Sequence, residues 1–140
     1  MMKKKTIILG VTGGIAAIKV PELIDRLQQE GIEVLTVITK NAARIMDQAE
    51  TELFPKNFEA SQVLADRVVD HVAMAERADL MVIVPATANI IGKLANGIAD
   101  DFLTTVVLAV SCPVVVYPAM NTQMWKHPIV GQNVEKLRQL

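Results

Sequence analysis

Four short segments of this chain carry the side chains best suited to chemistry: Thr12-Gly13-Gly14, Thr39-Lys40-Asn41, Pro85-Ala86-Thr87-Ala88-Asn89 and Pro118-Ala119-Met120-Asn121. Each follows an apolar run of strand length. Two glycines between a strand and a helix leave backbone amides and the positive end of the helix dipole facing an anion. The spacing is not the G-x-G-x-x-G dinucleotide fingerprint, so a mononucleotide phosphate is the sharper reading and a plain tight turn the alternative. Thr87 and Asn89 put a hydroxyl and a carboxamide in one strand-end loop. They suit a helix cap, or the mixed donors and acceptors of a heteroaromatic ring such as a flavin. Asn121 poses the same choice: it caps the next helix, or it holds a polar group of something bound. Met120, Met124 and Trp125 crowd beside it, as befits a platform against a planar ring or a partner subunit.

The remaining reactive side chains are few. His71 lies eight residues before Asp79, early in the helical stretch that feeds the third strand. It is either a general base, by virtue of a reference pKa near about 6.5, or a surface histidine. Asp100 and Asp101 look like a carboxylate pair but stand at the start of a helix, where negative charge and capping explain them. Cys112, the single cysteine, falls in the turn feeding the last strand and reads as inert core. One cysteine and two well-separated histidines offer neither a disulfide nor a metal site within the chain, so no metal is expected.

These segments need a scaffold that brings them together. Residues 6–11 (TIILGV) form a continuous apolar run, as in a strand buried on both faces, and residues 15–31 place Val20, Leu23, Ile24 and Leu27 at helical spacing before Gly31 as a C-terminal cap. Pro21 is expected to disturb the first turns. Further strands are predicted over residues 32–39, 80–84 and 114–117, with helices over about residues 63–77 and 101–110. A last helix starts near Pro128 and packs through Ile129, Val130, Val134 and Leu137. Residues 41–53 suit a helix and residues 54–62 a loop. The order implies an α/β, Rossmann-like (flavodoxin-like) three-layer sandwich with a mostly parallel sheet. In such sheets ligands bind beyond the carboxyl ends of the strands, where all four segments emerge.

Composition bounds the rest. Fourteen basic and fifteen acidic residues leave a net charge of -1, which excludes a nucleic-acid footprint. The 24 residues from Phe102 to Trp125 carry no charge, yet Pro113 and Pro118 divide them, so they read as core rather than a membrane span. The apolar run after Lys3-Lys4-Lys5 is too short for a signal peptide, and the expected location is cytoplasmic.

Taken together, residues 12–17 (TGGIAA), 85–101 (PATANIIGKLANGIADD) and 118–125 (PAMNTQMW), with His127-Pro128 after them, resemble the homo-oligomeric flavin-containing cysteine decarboxylase family. The similarity covers nearly the whole chain and is nearest to the phosphopantothenoylcysteine branch. It implies FMN as cofactor, near a subunit boundary, in a homo-oligomer built as a trimer or dodecamer. It assigns His71 and Asn121 to catalysis, and Asn121 and Met124 to the substrate. Gly13, Gly14, Ile15, Thr39, Pro85, Ala86, Thr87, Asn89 and Met120 are assigned to the cofactor. The implied reaction is FMN-dependent decarboxylation of 4'-phospho-N-pantothenoylcysteine to 4'-phosphopantetheine in coenzyme A biosynthesis. The alternatives are a peptidyl-cysteine decarboxylase of the lantibiotic type and a non-catalytic flavin-binding or regulatory protein. Ile18 stands where the family commonly has tyrosine, and Met74 where leucine is common. The family's substrate clamp and active-site cysteine would follow the last helix. Residues 1–140 are therefore expected to form one FMN-binding domain without that clamp, with FMN binding retained and decarboxylation weak or incomplete.

Overall fold

The computed structural model describes residues 3–48 and 71–140. Strands β1 (Thr6–Val11), β2 (Glu33–Ile38), β3 (Leu80–Ala86) and β4 (Val114–Pro118) form one parallel sheet in the order β2-β1-β3-β4. The helices are α1 (Val20–Gln29), α2 (Lys40–Gln48), α3 (His71–Arg77), α4 (Ala88–Ala95), α5 (Phe102–Ala109), α6 (Thr122–Lys126) and α7 (Pro128–Arg138). This is the flavodoxin-like three-layer arrangement expected from the order of elements. The tail of the predicted helix over 41–53, the loop at 54–62 and the start of the helix over 63–77 lie outside the described residues.

Alternation along β1 divides the core into two layers, because successive side chains leave opposite faces of the sheet. Leu9 and Val11 pack with Ile24, Ile38, Ala42 and Met46 under α1 and α2. Ile8 packs with Met74, Met81, Ile83, Ile91, Leu103 and Val106 under α3, α4 and α5. Gly10 belongs to the second layer, where a β-carbon would stand 2.6 Å from Leu103 Cδ1 and 2.8 Å from Ile83 Cδ1. The glycine lets α5 lie directly on the sheet. Pro21 has the effect expected of it: residues Ile15–Lys19 form a separate 3-10 turn, and the proline sits in the first turn of α1, where no amide is missed. Gly31 ends that helix at φ 79°, in the left-handed region, with its amide donating to Gln28 O at 2.9 Å.

Two expectations are corrected. The stretch from Phe102 to Trp125 reads as core, but within it β4 is an edge strand paired only with β3, and most of its side chains are exposed. In α7, Val134 and Leu137 pack on the core, whereas Ile129 is 59% exposed and does not.

Ionic contacts pin the amino edge of the sheet. Asp79 accepts the Thr6 amide at 2.9 Å and the Lys5 ammonium at 3.3 Å; Glu33 accepts the Thr6 hydroxyl at 2.7 Å and pairs with Arg77. The Thr6 amide, then Lys5, hold the Asp79 carboxyl below its ordinary 3.8; the Thr6 hydroxyl, then Arg77, hold Glu33 below its ordinary 4.5. A carboxyl with a lowered folded pKa stabilises the fold above its unfolded value, and loses that contribution as pH falls through the folded value. Stability is therefore expected to decline in acid from about pH 4.5 downward. Denaturant titrations across that range check it, and Asp79→Asn should flatten the decline; an unchanged acid slope in the variant contradicts it.

Candidate functional site

The sheet order changes direction between β1 and β3, since β2 lies on one side of β1 and β3 with β4 on the other. Loops leaving the carboxyl ends of β1 and β3 therefore diverge and open a crevice at that point. Thr12 stitches its base. Its buried hydroxyl donates to the Pro85 carbonyl at 2.6 Å and accepts the Thr87 amide at 3.1 Å. The Thr12 amide also donates to the Pro85 carbonyl, at 3.4 Å, so one residue ties the ends of β1 and β3 through both backbone and side chain.

The glycines after Thr12 meet tight quarters. A β-carbon on Gly13 would lie 2.7 Å from Asn41 Cβ, and one on Gly14 would lie 3.3 Å from Pro85 Cγ. Across from them Thr39 follows β2, its amide donating to Val11 O at 3.0 Å, and its hydroxyl caps α2 by accepting the Ala42 amide at 3.3 Å. Thr87 caps α4 through the Ile90 amide at 3.2 Å. The starts of the 3-10 turn, α2 and α4 thus converge, and their orphan amides and dipoles favour an anion. Thr87 is thus the cap that the sequence allows, while Asn89 lies not in a strand-end loop but in the first turn of α4.

A cleft of roughly 630 Å³ opens from this point. Thr12, Gly13, Thr39, Lys40 and Asn41 line one end, and Thr87, Asn89, Ile90 and Lys93 line the α4 wall. Asp100, Asp101, Phe102 and Leu103 form the wall opposite, with Val37 and Ile38 between. Asp101 is the cap that the sequence suggested: it accepts the Thr104 amide at 2.8 Å, and Thr104 bonds back to complete a capping box. Asp100 has a different partner, the Lys93 ammonium, at 2.9 Å and 3.0 Å from its two oxygens.

The other expected site residues lie around this cleft rather than in it. Pro85 and Ala86 are buried at the end of β3, and Ile15 stands 82% exposed beside the glycine turn. The Ala119 amide donates to Ala86 O at 2.9 Å, which ties the segment carrying Met120 and Asn121 to the same sheet edge. Met120 packs on the core. The Asn121 carbonyl accepts the Met124 amide at 2.9 Å, so it does cap α6, while its Nδ2 has no partner among the described residues. Met124 and Trp125, each 46% exposed, flank it. His71 starts α3, half-buried, and does not line the cleft. Cys112 is half-buried at the opposite edge, and burial pushes its thiol up, consistent with an inert cysteine. Among the described residues no cluster of metal-ligating side chains occurs and no helix is long and apolar enough to cross a membrane.

The Thr39-Lys40-Asn41 segment lines the cleft as the sequence suggests; what sequence reading misses is Thr12 as the organiser of the site and Lys93 as a lining residue. For Lys93 a signal exists: it is four residues after Asn89, hence on the same helical face.

Comparison with known proteins bears on this site. A family model described as Flavoprotein matches residues 1–140. The coenzyme A biosynthesis bifunctional protein CoaBC of Bacillus subtilis (strain 168) is 39% identical over 142 residues, covering 99% of this chain and 35% of the relative. Its counterpart in Mycolicibacterium smegmatis is 41% identical over 139 residues, covering 99% and 34%. The chain thus spans about a third of the length of these relatives. Among solved structures, the FMN-dependent cysteine decarboxylase SpaF superposes with TM-score 0.81 at 36% identity, covering 96% of this chain and 79% of that one. A PPC decarboxylase variant complexed with pantothenoylaminoethenethiol gives 0.79 at 31% identity, covering 98% and 79%. The peptidyl-cysteine decarboxylase EpiD gives 0.81 at 28% identity, covering 98% and 82%.

Proposed function

The chain belongs to the Flavoprotein family, and on that premise we propose that it forms an FMN-binding domain that decarboxylates 4'-phospho-N-pantothenoylcysteine to 4'-phosphopantetheine on the route to coenzyme A. The observation that carries this reading is the cleft at the point where the sheet order reverses. There the glycine turn, the start of α2 and the start of α4 present amides to an anion, beside an apolar stretch formed by Val37, Ile90, Phe102 and Leu103. The fit to a flavin mononucleotide is physical: Gly13 lines the cleft, and the absence of a β-carbon there, which would stand 2.7 Å from Asn41 Cβ, lets the glycine turn and the start of α2 come close enough to share one anion. The named relatives supply the substrate class.

In this reading Gly13, Gly14, Ile15 and Thr39 hold the phosphate end, and Pro85, Ala86, Thr87, Asn89 and Met120 border the ring. The chemistry that FMN supplies when bound is reversible two-electron oxidation of the substrate carbon that carries sulfur, which eases loss of the neighbouring carboxylate. The chain's own contribution is placement. Asn121 spends its carbonyl on the α6 cap and keeps its Nδ2 donor to fix the substrate carboxylate, with Met124 and Trp125 as an apolar border. His71 moves the proton that replaces carbon dioxide, reaching the site in a neighbouring copy, because it stands outside the cleft of its own chain. The protein acts as a cytoplasmic homo-oligomer, a trimer or a dodecamer.

SpaF and EpiD keep a peptidyl-cysteine reading in view. Mass analysis of the FMN-loaded protein with phosphopantothenoylcysteine, and separately with a peptide ending in cysteine, tests both. Loss of carbon dioxide from the first supports the proposal. Loss of carbon dioxide together with two hydrogens marks incomplete turnover that leaves reduced cofactor. Reaction of the peptide alone supports the second reading, and no change in either substrate overturns both.

A further inference from the structure

Lys93 and Asp100 form an ion pair inside the cleft that neither capping nor core packing accounts for. The Lys93 side chain is only 23% exposed, and it lines the α4 wall together with Asn89, one turn earlier on the same face. It lies six residues past the Thr87 cap, hence about 9 Å along the helix from the amide-rich end. Asp100 and Asp101 face it from the start of α5. A phosphate dianion beside two carboxylates would be repelled, and the opposite end of the cleft already offers it amides, Thr39 and Lys40. The Lys93 end therefore suits the ring of the cofactor, uncharged when oxidised and more negative once reduced.

Resting on the FMN reading above, we propose that Lys93 is the cation that favours the reduced form of the bound flavin, and that Asp100 holds it in place while offsetting part of its charge. A half-buried charge is screened less by salt than an exposed one, so its effect on a ring in the same cleft persists at physiological ionic strength. The hydrogen bond that Lys93 donates to the Asp100 carboxylate raises the proton affinity of Lys93, which keeps the ammonium charged throughout the neutral range. The two members of the pair pull the cofactor in opposite directions. Removing the ammonium leaves Asp100 to oppose reduction; removing the carboxylate charge leaves Lys93 to favour it.

The test compares the FMN-loaded full chain with Lys93→Met, Lys93→Arg and Asp100→Asn. Midpoint potentials come from stepwise dithionite reduction against a reference dye, and FMN affinity from fluorescence quenching. Lys93→Met is expected to weaken the reduced form at least tenfold relative to the oxidised form, a fall of about 30 mV for a two-electron couple. Asp100→Asn is expected to raise the potential, and Lys93→Arg to stay near the unaltered protein. Should Lys93→Met fail to fold, Lys93→Gln against Lys93→Arg carries the same contrast. Shifts of the same sign in Lys93→Met and Asp100→Asn reveal a merely structural brace and overturn the proposal. Equal weakening of both redox forms places Lys93 on the phosphate and also overturns it, while leaving the FMN reading intact. Failure of the unaltered chain to bind FMN overturns both.

Discussion

Asn121→Asp is expected to leave the fold and FMN binding intact and to cut decarboxylation by about 10²–10³-fold, the usual cost of losing one preorganised donor. The substitution separates the two tasks of this residue. Aspartate is as good a helix cap as asparagine, so the bond to the Met124 amide, now 2.9 Å, survives. What is lost is the Nδ2 donor, replaced by an oxygen that repels a substrate carboxylate. Asn121→Ala would be a poorer experiment, because it removes the cap of α6 and the donor together. Steady-state turnover with circular dichroism and flavin absorbance checks the outcome. Retained turnover in Asn121→Asp would return Asn121 to a purely structural role.

Gly13→Val is expected to weaken FMN binding by about a hundredfold or more, through sterics at a site where phosphate needs close backbone approach. Even the first carbon of a side chain would lie 2.7 Å from Asn41 Cβ, so the glycine turn or the start of α2 must move. Either shift misdirects the amides that converge there. Gly97, which has open space around it, is the control: Gly97→Asn keeps a residue type that tolerates its φ of 65° and should bind FMN normally. Fluorescence titration measures both. Wild-type affinity in Gly13→Val would mean that the phosphate sits elsewhere.

Much of this was legible before any coordinates, and the reasons differ by element. β1 and β3 read as strands because both faces are buried, which requires an unbroken apolar run. At β4 the apolar run marks the strand correctly but not its burial, since its position at the sheet edge leaves it exposed. No pattern within five residues encodes which strand ends up outermost. Pro85, Thr87 and Asn89 are all turn formers, so their letters leave the start of α4 open between loop and cap; the helix there depends on the Thr87 cap and on packing against α7 at Gly92, where a β-carbon would be 3.6 Å from Asn133 Nδ2. Thr12 was visible as part of a motif but not as the stitch between β1 and β3, because its partners Pro85 and Thr87 lie 73 and 75 residues away. The Lys93–Asp100 pair crosses the turn between α4 and α5 and has no helical period to announce it. By contrast, the gathering of polar segments at one edge followed from topology alone.

A crystal structure of the full chain grown with FMN tests the central claim most directly. The phosphate should lie against the turn at Gly13, the first amides of α2 and the hydroxyl of Thr39, with the ring running along the α4 wall past Asn89. FMN bound away from the carboxyl edge of β1 and β3, or that crevice filled by the protein's own side chains, would contradict it.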